Sequence, residues 1–448
     1  MITLNNINLS SIDLSGIDLR GIKLGLGGRG SGSSDGFPVL PGDVTRWHFG
    51  GLTNEMMAAM DDPRIEDADH KGRFLSFKNF AWKEGSGISD VYPGALVFDG
   101  VDDCGVCENF PILTKEKGYT VVVLRQWDQD FLNTTLTGGL LSTRNYSTGE
   151  GVAFEKIESS NKGYWNLGAG GIIDFAKSPF TWQTSKQYNN VGILKGDKNH
   201  GKPLCVGCGL SGGQQCGRFA IWELVFLDHD ATEEELTKIK DYFVKTYPWL
   251  FPDQAWTVVG KTNEDEDRAT IANITGNGNN LVLSNLGFAE GSGYNKEGEY
   301  AGYLVTDGVD DKITSSIFEM GNDWTVIGDW ELINTGKNDN AGIVKFDSIV
   351  IYNYNPILIN IKNGRNNLIP DQNTVNAICS DGRIYSKDWK ESIYNEETES
   401  TSKNLLTIGY SGNSYTKIAF KNLAIYPTVL SKEDCIKAYN YLQTLKAK

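Results

Sequence analysis

Residues Tyr92 to Asp103 read YPGALVFDGVDD, and 300 − 92 = 208 residues later Tyr300 to Asp311 read YAGYLVTDGVDD. The shared letters pass from an apolar stretch into a corner of Asp, Gly and paired acids. Such a run predicts a strand ending in a tight turn, because Asp and Gly suit the backbone angles that turns require. Comparing the chain with itself extends the match in both directions. WHFGGLTNE (Trp47 to Glu55) aligns with WTVVGKTNE (Trp256 to Glu264), 256 − 47 = 209 apart. FAWKEGSGI (Phe80 to Ile88) aligns with LGFAEGSGY (Leu286 to Tyr294), 286 − 80 = 206 apart. YTVVVLRQW (Tyr119 to Trp127) answers WTVIGDWEL (Trp324 to Leu332). FAIWELVFLDHDATEEELTKIKDYF (Phe219 to Phe243) parallels IAFKNLAIYPTVLSKEDCIKAYNYL (Ile418 to Leu442), 418 − 219 = 199 apart. Offsets this steady mean loop insertions between fixed elements. The chain therefore reads as a tandem duplication, 47–252 and 256–448, with the joint near TYPWLFPDQ, where prolines punctuate a helix end.

The bulk numbers agree with that division. A length of 448 residues suits two domains better than one core. Hydrophobic content of 40 % with 11 % aromatics fills such cores, and 51 glycines against 12 prolines suggest many turns. A net charge of −15 argues against a nucleic-acid partner, since phosphate binding needs clustered Lys and Arg. No apolar run approaches the ~20 residues that a membrane span needs, so no membrane insertion is expected. The N-terminal MITLNNINLSSIDLSG lacks a basic region and an unbroken apolar core, so it is not read as a signal peptide. Seven cysteines, an odd number, fit a reduced compartment better than a disulfide framework.

Most segments read as short strands: TVVVL, GALVFDG, FAIWELVFL, DSIVIYNY and ILINIK run apolar or alternate between Gly, Asn and Asp clusters. Cys379 to Arg383, CSDGR, predicts a hairpin with a type I′ turn at Asp-Gly. Each half closes with one helix. Thr232 with Glu235 forms a capping box, and Ser431 with Asp434 is its weaker analogue. Leu236, Ile239, Tyr242 and Phe243 form an apolar stripe at helical spacing, expected to face the core. Many short strands with one terminal helix predict a mainly β chain built from two sandwiches or jelly rolls.

The order of landmarks carries a resemblance. ALVFDGVDD early, SDGRIY within, LLTIG (Leu405 to Gly409) later and LAIYPTVLSKED before the last helix together resemble concanavalin A-like, LamG-type jelly rolls. A narrower likeness lies in GKTNEDEDRATIANITGNGNNLVLSN followed by GFAEGSGY, with a diverged first copy in TNEMMAAMDDPRIEDADHKGRFLSFKNFAW. This combination resembles repeat units in virion fibre and appendage proteins of crAss-like and related phages of gut Bacteroidota. The resemblance implies a phage structural protein, a head- or tail-attached fibre subunit made in the host cytoplasm and carried in the virion, with trimers favoured. It also implies host cell-surface glycan as a partner of the outer roll. The competing class is a bacterial carbohydrate-binding protein or a glycoside hydrolase of the concanavalin A-like fold.

Residues 1–45 are set apart. INLSS, IDLSG, IDLRG and IKLGL run from Ile7 to Leu26 with a five-residue period, which resembles the pentapeptide-repeat pattern. Ile7, Ile12, Ile17 and Ile22 with Leu9, Leu14, Leu19 and Leu24 are too few to build a core alone. The glycine- and serine-rich GLGGRGSGSSDG then reads as a flexible linker. The segment is expected to be a β-rich anchor or oligomerisation element that contacts capsid or tail proteins; packing on its own first domain is the other reading. The expected domains are 1–45, 46–252 and 253–448.

Candidates for chemistry are thin, and no catalytic, cofactor-binding or metal-binding residue is assigned. Cys104-x-x-Cys107 and Cys205-x-x-Cys208, with Cys216 nearby, have the residue types of a zinc site. The separation is long, however, and a CxxC on a strand points its sulfurs to opposite faces unless a turn intervenes. Buried thiols are the plainer reading. The two DGVDD corners and NEDED (Asn263 to Asp267) could hold calcium through carboxylates, or simply end strands. A glycosidase pair would need two carboxylates at alternate strand positions, and Glu223 stands alone, with Asn422 as its counterpart. His48, His70, His200 and His229 show no ligand spacing. Gly168 to Gly171 with Lys177-Ser178 fails the phosphate-loop pattern and reads as a turn. Trp82, Trp127, Trp165 and Trp182 are candidates for stacking on sugars, against core packing as the alternative.

Overall fold

FAIWELVFL does not alternate, and the structure gives the reason. In the strand Arg218–Leu227 every residue after the first is buried, because both faces of the sheet are covered. Phe219, Ile221, Leu224 and Phe226 belong to the sandwich core, whereas Trp222 and Glu223 are buried outside it. A β-bulge between Ile221 and Glu223 changes the parity midway along the strand. The second copy does the same. Ile418, Phe420, Leu423 and Ile425 lie in the second core, and the register against Thr325–Leu332 shifts between Asp329 and Trp330, opposite Lys421. Trp222 and Lys421 are 421 − 222 = 199 apart, so the bulge was duplicated with the strand.

The protein is described from a computed structural model. It covers residues 36–111, 119–132, 134–143, 203–210, 214–276, 278–333, 375–393, 405–411 and 414–447, with the backbone of eight further strands in 153–194 and 342–369. The pentapeptide-like segment, the linker up to residue 35, Trp182, His200, Gly168 to Gly171 and Lys177-Ser178 lie outside the described residues, as does the side chain of Trp165.

The chain is mainly β, arranged as β-sandwiches. In the first half, one sheet runs Val191–Leu194, Tyr119–Trp127, Arg218–Leu227, Ala95–Asp99, Gly87–Ser89, with Val44–His48 paired to Arg218–Leu227. The facing sheet runs from Ile172–Asp174 through Gly138–Ser142, Leu204–Val206 and Cys104–Cys107 to Phe74–Lys78 and Arg64–Glu66. The second half repeats this: Leu304–Val305, Ile418–Tyr426 and Thr325–Leu332 stand in one sheet, with Leu281–Ser284, Lys312–Ser315 and Thr407–Ile408 in the other. Trp47 and Trp256, the first residues matched between the copies, are both fully buried. Burial of each such side chain contributes roughly 2–3 kcal/mol.

Four α-helices are described, α1 (Asn54–Ala58), α2 (Gln129–Leu132), α3 (Glu233–Thr246) and α4 (Lys432–Gln443), together with a 3-10 helix, Pro248–Leu250, that follows α3. Only α3 and α4 are legible as helices in the sequence. Thr232 caps α3 through the expected box, and Ser431 accepts from the Asp434 amide at α4. Leu236, Ile239, Tyr242 and Phe243 are buried as the stripe requires. Each helix start is tied back by one threonine. Thr120 donates to the His229 carbonyl and accepts from the Ala231 amide, and Thr325 does the same with Thr428 and Leu430.

One turn differs from expectation. In the Val375–Cys379/Arg383–Ser386 hairpin only Gly382 has positive φ, at 95°, and its amide donates to the Cys379 carbonyl. That is a three-residue loop ending in a left-handed glycine; a type I′ turn would need positive φ at Asp381 as well.

Candidate functional site

The repeated phrase builds the same loop twice. Asp99 turns the chain by accepting from the Val101 and Asp102 amides, and Asp307 accepts from those of Val309 and Asp310. Asp103 accepts from the Asp99 amide and the Ser86 hydroxyl; Asp311 accepts from the Asp307 amide and the Ser292 hydroxyl. Asn79 and Asn285 donate to the carbonyls of Asp102 and Asp310. A second clamp pairs the Asn54 amide group with both backbone polar groups of Ile88, and Asn263 does so with Tyr294. Carboxylate oxygens of Asp99, Asp102 and Asp103, and again of Asp307, Asp310 and Asp311, lie within 4.8 Å of one another. In each copy the first and last acids, Asp99 and Asp103 or Asp307 and Asp311, serve loop amides and a serine hydroxyl, as strand-ending acids do. Burial pushes the Asp103 carboxyl up to about 7, and Asp311 is raised by the same cause.

Beside this loop each copy places an aromatic in left-handed backbone: Trp82 at φ 48° and Phe288 at φ 49°. A bulky residue there is unfavourable by about 1–2 kcal/mol. Trp82 is half-buried and stacks on Phe80 at 4.9 Å, while Phe288, also half-buried, lies under the Arg268 guanidinium at 5.1 Å and stacks with Tyr294 at 6.3 Å. Val101 and Val309, at the loop tips, are 73 % and 71 % exposed. Of the other tryptophans considered for sugar stacking, Trp127 is buried in the core, which removes it as a platform.

Glu223 is not alone. It is fully buried and accepts from Tyr242 at 2.7 Å and Tyr247 at 3.0 Å, with Arg46 Nη1 at 3.2 Å and His48 Nδ1 at 2.8 Å. Arg46 is also fully buried and lies over the Tyr242 ring. Every donor around Glu223 comes from its own roll and closes over it, so the group has no open side at which a bond could be attacked. The sequence cue was available in the repeat itself: Arg46 and Glu223 both change in the second copy, to Ala255 and Asn422. The remaining described histidines are satisfied by acids, His70 by Glu66 and His229 by Glu235 and Asp228.

The cysteines separate by face. Cys107 enters the sandwich core, whereas Cys104, from the same strand, joins Cys205, Cys208 and Cys216 in a distinct buried cluster. Gly207 makes this possible. Its φ of 92° turns the chain between Cys205 and Cys208, so both sulfurs reach one side, and a Cβ there would lie 2.4 Å from the Phe98 ring. Cys104 Sγ is 3.0 Å from Cys205 Sγ, and Cys208 Sγ is 3.0 Å from Cys216 Sγ. The two pairs lie together in one buried cluster. None of the seven cysteines forms a disulfide. The hydrogen bond from Cys208 holds the Cys216 thiol below its ordinary range. The set that converges is thus not the two CxxC pairs: Cys216 replaces Cys107.

No family model and no curated protein matches the chain. Among solved structures it is similar to the botulinum neurotoxin type G receptor binding domain, at 12 % identity over 42 % of this chain and 50 % of that one, with a TM-score of 0.27. It is also similar to Trypanosoma rangeli sialidase, at 10 % identity over 85 % and 68 %, with a TM-score of 0.32. The botulinum neurotoxin serotype D binding domain gives 10 %, 82 % and 95 %, and 0.32. Values this low carry no argument about what this chain does. Among the described residues, no helix is long and apolar enough to cross a membrane.

Proposed function

We propose that the chain is a non-catalytic appendage or fibre subunit of a phage virion, whose rolls present one recognition face twice toward a host surface glycan. The observation that carries this reading is the repeated shoulder: Trp82 beside the Asp99–Asp103 loop and Phe288 beside the Asp307–Asp311 loop. Strained aromatics held by over-determined loops are a use of backbone strain associated with binding sites; the half-buried Trp82 ring suits the apolar face of a sugar, and at Phe288 the Arg268 guanidinium adds hydrogen-bond donors for sugar hydroxyls. Among the described residues, both copies keep this loop geometry bond for bond. The enclosure of Glu223 supports the absence of glycoside hydrolysis in the first roll, and the likeness of GKTNEDEDRATIANITGNGNNLVLSN to virion fibre repeats supports the setting.

Two experiments test the proposal. Immuno-electron microscopy of purified virions with an antibody to residues 253–448 should decorate appendages on the particle, and a particle free of the protein ends the virion reading. A glycan array probed with the full chain should give signal that Trp82→Ala with Phe288→Ala abolishes. Signal unchanged by the double substitution removes the shoulder as the binding face. The anchoring role of residues 1–36 follows the same logic: their deletion should leave folded protein that no longer oligomerises in sedimentation or joins the particle. Equal mass for both forms and normal incorporation would refute it.

A further inference from the structure

We propose that Cys104, Cys205, Cys208 and Cys216 form a structural site for a thiophilic divalent cation, zinc in a reduced compartment. Four thiols from four neighbouring strands, Cys104–Cys107, Leu204–Val206, Cys208–Leu210 and Gln214–Cys216, gather in one cluster apart from the sandwich core. All four residues are at most 6 % exposed. That number of sulfurs completes a closed tetrahedral set, which is how structural zinc is held. Zinc–sulfur bonds of about 2.3 Å place the sulfurs about 3.8 Å apart, so each 3.0 Å pair opens by about 0.8 Å to admit the ion. On binding, the thiols give up their protons to solvent and the ion takes four thiolates; no oxidant or reductant is involved.

The second roll argues against a merely apolar patch. Pairing and the matching glycines Gly207 and Gly409 set Cys104 against Lys312, Cys205 against Thr407, Cys208 against Tyr410 and Cys216 against Tyr415. There the Lys312 ammonium lies over the Tyr410 ring at 5.9 Å, and the Tyr410 and Tyr415 rings are 5.0 Å apart. In that copy a lysine cation over one tyrosine ring, itself packed on a second tyrosine, takes the place of the sulfurs. Had the position needed only grease, aliphatic side chains would serve in both copies. Thiolates around a metal ion are the first roll's solution to the same junction; Cys107, three positions along the strand from Cys104, faces the other side and lies in the core.

Full-length protein made in a bacterial cytoplasm and purified without chelator should carry one zinc per chain by plasma mass spectrometry. Growth with cobalt should yield a green-to-blue protein with thiolate-to-cobalt charge-transfer absorption. Cys208→Ser and Cys216→Ser should each reduce the metal to background, while Cys107→Ser retains it. Should the serine variants fail to fold, blocking the thiols of the wild-type chain with a mercurial should release one ion to a chromophoric chelator. Wild-type protein with no bound metal overturns the proposal. In that case thiol titration of the unreduced, denatured chain tells apart seven thiols, an empty apolar cluster, from three, which would mean two disulfides among the four.

Discussion

The two rolls share a frame to the level of single hydrogen bonds, yet they differ on the sheet face beneath the closing helix. In the first, Tyr242 of α3 turns inward to Glu223, where Arg46 supplies the opposite charge. In the second, Asn422 replaces Glu223 and Ala255 replaces Arg46, and the Asn422 amide has no hydrogen-bond partner among the described residues. The matching tyrosine, Tyr441 of α4, reaches instead across to Gln126 of the first roll at 2.8 Å and packs edge-on against Trp222 at 6.0 Å. Lys446 extends the contact to Gln129 and Asp130. Tyr426 donates to the Trp249 carbonyl in the connector Pro248–Leu250, and Lys437 lies over the Trp249 ring at 4.5 Å. Duplication preserved the backbone, bulge included, and left this covered face free to diverge. One copy uses it to close its own roll and the other to dock on its neighbour.

The largest test of that difference is Glu223→Ala. It leaves Arg46 buried without its counter-charge and should destabilise the first roll by about 3–5 kcal/mol. Asn422→Ala should cost under about 1 kcal/mol, since no hydrogen bond is lost. Denaturant unfolding measures both, and Arg46→Ala with Glu223→Ala should recover much of the loss. A double variant as unstable as Glu223→Ala alone would show that the unpaired charge is not the cause.

Trp222→Ala comes next. Removing the bulged indole, which donates to the Pro93 carbonyl and supports Tyr441, should cost about 3 kcal/mol and expose the connector Pro248–Leu250 to limited proteolysis. Lys421→Ala at the same bulge of the second roll should do neither. Equal proteolysis of the two variants would mean that the docking does not depend on Trp222.

The acid loops respond to pH in both rolls. Asp103 binds its proton more tightly folded than unfolded, so stability falls as pH rises from its ordinary value of 3.8 towards about 7, and is level above that. Half of that shift corresponds to about 2 kcal/mol. Asp103→Asn should remove the slope from the first roll and leave that of Asp311 in the second. A wild-type pH profile that is flat between 4 and 7 would contradict the burial argument.

The smallest effect belongs to His229, which has Thr428 as its counterpart. Burial works against its charge, but hydrogen bonds to Glu235 and Asp228 hold the imidazolium above its ordinary range. Its contribution is therefore complete below pH 6.5 and lost as pH rises through the higher folded value. At 26 % side-chain exposure it should amount to less than about 1 kcal/mol, read as a difference between wild type and His229→Gln at pH 6 that vanishes at pH 9. A difference that persists at high pH would assign His229 a packing role only.

Much of this was legible in the sequence, because local rules govern it. Periodicity, capping residues and turn chemistry act over a few positions, so YPGALVFDGVDD announced its strand and corner, Thr232 its helix, and the repeat its two copies. Short-range cues fell short where parity changes: the bulge at Trp222 and the left-handed Gly207 each reverse which side chains share a face, and neither leaves a periodic trace. Hence Glu223 read as solitary and the second CxxC as split across a strand. Arg46 meets Glu223 across 177 positions, and Cys104 meets Cys205 across 101. Contacts at such separations follow from strand order and register, which the sequence encodes only through the whole fold, so tertiary structure alone decided which charges pair, which thiols converge, and which tyrosine leaves its own roll for the next.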